Sequence, residues 1–147
     1  MTATDTFNPA TSHPTIGPEN DPFALAYPEH MAFWHAAERN QFLLRTCRTC
    51  NQPHWYPRMI CPLCGSIDTE WREASGAATI YAFSVMRRIE QPYVVAYVRL
   101  VEGPSLLTNI ETDDFSALRI GQPVRVHFKR ASEGRMMPIF TPDHRSC

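Results

Sequence analysis

The chain has 147 residues, 44% of them hydrophobic and 20% charged, with 14 basic side chains set against 15 acidic ones. That length allows one domain or two very small ones, and the near-cancellation of charge removes any bulk attraction to nucleic acid or anionic lipid, so polyanion binding would have to be local. The start lacks a basic stretch followed by an apolar run, and the most apolar segment, Tyr93 to Leu100, is far too short to span a bilayer, which points to a soluble cytoplasmic protein.

Residues 1–28 hold Pro9, Pro14, Pro18, Pro22 and Pro28 among Thr, Ser, Asn and Asp, with Asp5, Glu19 and Asp21 and no basic residue. Such a composition buries too little apolar area to order itself, so it reads as an extended tail. The competing reading is an arm that orders against a partner through Phe23, Leu25 and Tyr27. Pro28 suits a first helical position and Glu29 a first turn, and no Gly or Pro interrupts the run to Gln41, which predicts a helix of about three turns within residues 29–43. Met31, Trp34, His35, Glu38 and Phe42 would share one side of it, flanked by Phe33 and Ala37, as a broad but imperfect apolar stripe. Phe33 and Trp34 then serve either as core or as a contact with another subunit, because a short N-terminal helix has little domain to pack on.

Residues 44–75 hold the most specific chemical signal. Cys47-Arg48-Thr49-Cys50 is followed, ten residues later, by Cys61-Pro62-Leu63-Cys64-Gly65. Each Cys-x-x-Cys turn presents two thiolates on a tight loop, and two such turns complete a tetrahedron of sulfur ligands. Asn51 and Gly65, next to the last cysteine of each pair, are residue types that tolerate the left-handed conformation such a turn demands. In a reducing compartment this spacing means metal rather than disulfides, and zinc rather than iron for a structural tetrathiolate. Four protein ligands leave no open position, so the ion would staple a segment too small to fold alone and would not activate water. Thioredoxin-like chemistry lacks its βαβ surroundings, and the fifth cysteine, Cys147, stands alone at the terminus with no assigned role.

From Gly76 the pattern changes to strands. Thr79, Tyr81, Phe83 and Val85 alternate with Ile80, Ala82, Ser84 and Met86; Tyr93–Leu100 and Ser105–Ile110 are β-branched and aromatic runs; Val124, Val126 and Phe128 alternate with Arg125, His127 and Lys129; and Met137–Thr141 makes a fifth. Asp113 or Asp114 caps a helical turn between the third and fourth. Five strands with Gly/Pro turns in residues 76–147 predict a small closed or nearly closed barrel.

No constellation in the chain nominates a nucleophile or a tuned acid and base. The histidines do not pair at ligand spacing, His127 lies on the wet side of its strand, and Gly-x-Ser-x-Gly, phosphate-loop and dinucleotide fingerprints are all missing. No catalytic residue is therefore assigned, and the chain reads as a binding or assembly module. A stand-alone thioesterase or hydratase would lack its reacting groups.

Helix, ribbon and barrel in this order resemble a known family, the OB-fold proteins with a rubredoxin-like zinc ribbon associated with acyl-CoA metabolism, long catalogued as a domain of unknown function. The resemblance is carried by Phe33-Trp34, Leu43-Leu44-Arg45, Tyr56-Pro57-Arg58, Cys61-Pro62-Leu63-Cys64-Gly65-Ser66, Pro92-Tyr93-Val94-Val95-Ala96, Glu102-Gly103, Leu106-Leu107-Thr108-Asn109, Ile120-Gly121-Gln122-Pro123-Val124 and Pro138-Ile139-Phe140. It covers residues 30–142, departing only at Asn51-Gln52, where relatives often have Gly. It implies a mainly β fold with an N-terminal helix, and a non-catalytic subunit that completes a thiolase-fold enzyme and helps to hold a CoA thioester, with an acyl-CoA hydratase or steroid-type aldolase as the alternative partner. Partner contacts would fall on Phe23, Phe33 and Trp34.

The residues add a local positive excess to that expectation. From Gly76 onward nine basic side chains face seven acidic ones, against two and five in residues 1–46. Arg87-Arg88 and Lys129-Arg130 are candidates for the CoA phosphates, with Arg58 beside the ribbon bracing either the ribbon or a partner; solvated strand ends are the competing account. The rival class is single-stranded nucleic-acid binding, common for zinc ribbons and OB barrels. It would use Tyr81, Phe83, Tyr93, Tyr97 and Phe128, several of which the alternation places on the apolar face. The purified chain should retain one zinc per molecule after dialysis, read by elemental analysis; a metal-free protein that stays fully folded would refute the ribbon assignment.

Overall fold

A computed structural model describes residues 15–144; residues 1–14 of the expected tail and Cys147 lie outside them. The rest of that tail is not extended. Pro18–Asn20 forms a 3-10 turn and Pro22–Ala26 a short helix, α1. Asp21 explains the order: its carboxylate accepts from the Phe23 N–H at 2.9 Å as a helix cap, with Pro22 following, and it also receives Arg135, whose Nη2 lies 2.8 Å from Oδ1 and whose Nε bonds the other oxygen. The Arg135 guanidinium is stacked over the Phe23 ring at 4.4 Å and the Trp34 ring at 5.5 Å. A charge pair 3% exposed on the acidic side supplies the anchoring that the proline-rich composition alone does not.

The following helix is shorter than expected. A 3-10 turn over Pro28–His30 leads into α2, Met31–Glu38, which stops because Asn40 takes a positive φ of 58°. Its buried face is Phe33, Ala36 and Ala37, so the expected flank of Phe33 and Ala37 faces inward, and not the line through Met31, Trp34, His35 and Glu38. The face is rotated because Phe33 points into a nest of rings. It meets Phe42 at 6.0 Å, Trp55 at 5.6 Å and Trp71 at 6.3 Å, and Phe42 passes the contact on to Phe140 in the barrel at 6.3 Å.

The ribbon carries a three-stranded antiparallel sheet, β1 (Leu43–Cys47) flanked by β2 (Pro53–His54) and β3 (Thr69–Glu73). Gly76, at φ +72°, joins ribbon to barrel at a point where only glycine fits: a Cβ there would sit 2.3 Å from Val126 Cγ1. The barrel strands are β4 (Ala77–Met86), β5 (Tyr93–Leu100), β6 (Ser105–Ile110), β7 (Pro123–Arg130) and β8 (Met136–Pro142). They close in the order β4-β5-β6-β8-β7, a five-stranded OB barrel. Asp114 caps the turn over Phe115–Ala117 by accepting from the Ser116 N–H at 2.8 Å.

One strand breaks the expected alternation. The register of β4 against β5 slips between Ile80 and Ala82, so Ala78 and Ile80 face inward before the bulge, while Phe83 and Val85 pack on the core after it. Tyr81 therefore stands on the outside, Tyr93 and Tyr97 stand there by the regular alternation of β5, and Phe83 and Phe128 pack on the core.

The barrel closes loosely at one seam. The parallel pair β6–β8 is registered only at Ile110↔Phe140, with the Glu111 N–H donating to the Phe140 carbonyl at 2.8 Å. Since backbone groups alternate sides along a strand, Leu107 and Asn109 of β6 and Met136 and Pro138 of β8 also turn theirs toward this seam. Pro138, with no N–H to leave unpaired, sits where a proline belongs.

Folding lowers the Asp21 pKa, chiefly through the Arg135 hydrogen bond and against the opposing effect of burial. Its stabilisation is thus present above the ordinary carboxyl range and is lost as pH falls through the depressed folded-state value. Asp21→Ala should lower the unfolding free energy at pH 7 by about 2–3 kcal/mol, the cost of leaving one partner of a largely buried pair. In urea titrations the difference between variant and parent should vanish under strongly acidic conditions.

Candidate functional site

The two cysteine turns converge. The sulfurs of Cys47, Cys50, Cys61 and Cys64 lie within 4.8 Å of one another, with Cys47–Cys64 at 3.6 Å and Cys50–Cys61 at 3.7 Å. A tetrahedral ion with Zn–S bonds of about 2.3 Å separates its sulfurs by about 3.8 Å, so the four thiols fit zinc as they stand. Each turn is built by the backbone. Cys47 N–H donates to Gln52 C=O at 3.0 Å, Cys61 N–H to Ser66 C=O at 2.9 Å, and Gly65 N–H to Cys61 C=O at 3.0 Å. Asn51 and Gly65 adopt φ of 55° and 76°, as such turns require. The Cys50 N–H, ahead of the other contributions, brings the Cys47 thiol down to about 6. With all four positions taken by protein, the ion's role is structural.

Beside the ribbon lies an apolar groove of about 640 Å³. Three parts of the fold build it. Phe23 and Trp34 come from the N-terminal helices, Trp55, Tyr56 and Pro57 from the ribbon, and the lips are Leu106–Asn109 of β6 and Met137–Ile139 of β8. The groove thus runs along the barrel's open seam. His30 ties two walls together by hydrogen-bonding through Nε2 to the Pro57 carbonyl at 3.1 Å. Lys129, Arg130 and Arg135 also line it, and among the described lining residues there is no carboxylate.

The residues singled out from the sequence fare differently. Lys129 and Arg130 are brought to the groove, but both are engaged. Lys129 bonds Glu111, and Arg130 holds the Glu38 carboxylate bidentately at 2.9 and 3.2 Å, an interaction that raises the Arg130 pKa. Arg58 is exposed next to the Tyr56–Pro57 wall, with its carbonyl accepting from His54 at 3.3 Å. Arg87 and Arg88 are exposed in the loop between β4 and β5 and do not line the groove. Phe33, 4% exposed, belongs to the core and also reaches the groove lining; Trp34 is half-buried, and Phe23 remains open to solvent. Sequence reasoning missed Asp21, Glu38 and Arg135. Their roles depend on pairings across 92 and 114 positions that no local pattern carries.

A four-thiolate ribbon followed by a five-stranded OB barrel defines a zinc-ribbon OB-fold protein. Comparison with known proteins places it. The chain belongs to the ChsH2/DUF35 family: its rubredoxin-like zinc ribbon domain matches residues 34–70 and its C-terminal OB-fold domain residues 71–129. A DUF35 domain-containing scaffold protein of Methanocaldococcus jannaschii is 30% identical, over 67% of this chain and 75% of that protein. A probable enoyl-CoA hydratase alpha subunit of Thermomonospora curvata is 34% identical over 76% of this chain, which spans 37% of that relative's length. Among solved structures, the Ltp2-ChsH2(DUF35) aldolase superposes with a TM-score of 0.69 at 31% identity, covering 77% of this chain and 93% of that one. A DUF35 protein of Sulfolobus solfataricus, 16% identical with a TM-score of 0.59 over 80% of this chain and 87% of that one, shares the fold. No helix among the described residues is long and apolar enough to cross a membrane.

Because the ribbon supplies the Trp55–Pro57 wall, metal removal should be felt in the groove. Cys61→Ser should lose most of the bound zinc and shift tryptophan emission to the red, while far-ultraviolet dichroism retains the barrel's strand signal.

Proposed function

We propose that the chain is a non-catalytic scaffold subunit of an acyl-CoA-processing complex, partnered by an aldolase- or hydratase-type enzyme that supplies the reacting groups. The observation that carries this reading is a spacious apolar groove without catalytic machinery. Its histidine, His30, commits Nε2 to a backbone carbonyl, and no thiol or carboxylate is found among the described residues that line it. Of the other described histidines, His54 is buried against the Arg58 carbonyl, His35 and His127 lie beside Glu19 and Glu111 at 3.5 and 3.8 Å, and His144 is exposed away from the groove lining.

The named relatives support an aldolase or a hydratase as partner. A thiolase-fold enzyme acting on an unusual acyl-CoA is the finer form of the proposal and rests on the motifs quoted from the sequence. The CoA thioester would be shared between the two subunits. On this side Arg58 is the exposed cation best placed beside the groove, since Lys129 and Arg130 already hold carboxylates. Phe23 and Tyr27, exposed on α1 and the turn that follows, offer the partner an aromatic contact.

Co-expression with the enzymes encoded beside it tests the proposal. The expected result is a stable complex in which the partner becomes soluble, and turns over an acyl-CoA, only in the presence of this chain. A monodisperse monomer that binds neither such an enzyme nor any CoA ester would overturn it, as would micromolar, steeply salt-dependent binding to single-stranded DNA.

A further inference from the structure

We propose that the ribbon is a redox switch: peroxide attacks the sulfur of Cys64, the sulfur of Cys47 closes a disulfide across the two turns, and zinc is released. This goes beyond the scaffold reading and does not depend on it. The four thiols that fit zinc are not equivalent. Cys47 and Cys61 are 0% and 1% exposed, Cys50 is half-buried and Cys64 is open to solvent. A zinc ligand is held as the thiolate, the form that peroxides oxidise, and among thiolates the reaction follows access. Exposure therefore selects Cys64 as the point of entry.

Geometry selects the second sulfur. Cys47 Sγ lies 3.6 Å from Cys64 Sγ, while Cys50 Sγ lies 3.7 Å from Cys61 Sγ. Both short pairs join one turn to the other, so a bridge at Cys64 runs between turns. In the first step the Cys64 thiolate takes one oxygen from hydrogen peroxide to become a sulfenic acid, and the other oxygen leaves, protonated, as water. In the second the Cys47 thiolate attacks the sulfenic sulfur, the S–S bond forms, and the hydroxyl leaves with a proton as a second water. The two sulfurs together lose two electrons and the peroxide gains them. Cys50 and Cys61 alone supply half of a tetrahedral set, too little to retain the ion.

The rest of the fold confines the damage. Thr49 Oγ1 and Ser66 Oγ, 2.8 Å apart, join the same two turns, and Trp55 and Trp71 hold the ribbon's other end in the ring cluster. The oxidised ribbon thus loses its ion but keeps the link between its turns and its seat on the barrel. A dithiol and fresh zinc can then restore it.

The test uses the full-length zinc-loaded chain carrying Cys147→Ser, which leaves only the four ribbon cysteines. Hydrogen peroxide is added, and zinc release is followed with a chromogenic chelator. Dimedone traps the first sulfenic acid, and peptide mapping without reduction identifies the bridge. The expected result is loss of the bound zinc, dimedone on Cys64, a Cys47–Cys64 disulfide, and recovery of zinc binding with dithiothreitol and added zinc. Cys64→His, which keeps four ligands, should release zinc at least about tenfold more slowly, whereas Cys50→His should stay within about twofold of the parent.

Zinc retained under peroxide that oxidises free glutathione would overturn the proposal. So would dimedone on another cysteine, a bridge within one turn or between Cys50 and Cys61, zinc binding that a dithiol fails to restore, or a Cys64→His chain as sensitive as the parent. If the histidine variants fail to load zinc, the dimedone and bridge assignments on the unsubstituted ribbon decide the outcome by themselves.

Discussion

Five rings, Phe33, Phe42, Trp55, Trp71 and Phe140, make one continuous contact through a helix, a linker, a zinc ribbon and a barrel strand. A ribbon of this size cannot build a core of its own, and zinc fixes only the end of it that carries the cysteines. The other end is held by lending Trp55 and Trp71 to a cluster whose remaining members belong elsewhere. Aromatic side chains bury the largest areas available to a protein, so a few of them suffice to fuse small units that would otherwise move independently. Ribbon and barrel thus share one core and hold a fixed relation to each other.

That fixed relation is what gives the groove its shape. Its walls come from three parts of the chain, and two ion pairs between the β7–β8 hairpin and the N-terminal segment, Arg130–Glu38 and Arg135–Asp21, keep the third part in place. Guanidinium groups suit this work because their planar forks grip a carboxylate at two points and their faces lie flat on rings, as Arg135 does on Phe23 and Trp34. The four cysteines would fill every position of a tetrahedral ion, which gives that end of the ribbon a structural task.

Much of this was legible in the sequence because it is local. The four cysteines announce their geometry through spacing, Asn51 and Gly65 mark the turns, and each barrel strand shows in its alternation. What was hidden depends on contacts between distant positions. The tail looked disordered because its order comes from Arg135, 114 residues away. The buried face of α2 was misplaced because Phe33 answers to the ring cluster and not to the helix's own periodicity. The two faces of β4 were harder to read because a single-residue bulge at Ile80/Ala82 inverts them midway, and no residue type signals it. The basic pairs were visible as charges, but whether a charge is available depends on partners such as Glu38 and Glu111 that only the fold brings near.

The proline at the barrel's seam carries a consequence of its own. A stretch of strand edge with free donors and acceptors invites a neighbouring chain to add a strand, and through that to aggregate. Pro138 removes a donor from one lip at the centre of the gap. Any peptide attempting to bridge β6 and β8 would lose a rung of its ladder there. The sparsely registered seam beside the groove is thus a poor template for a stray strand.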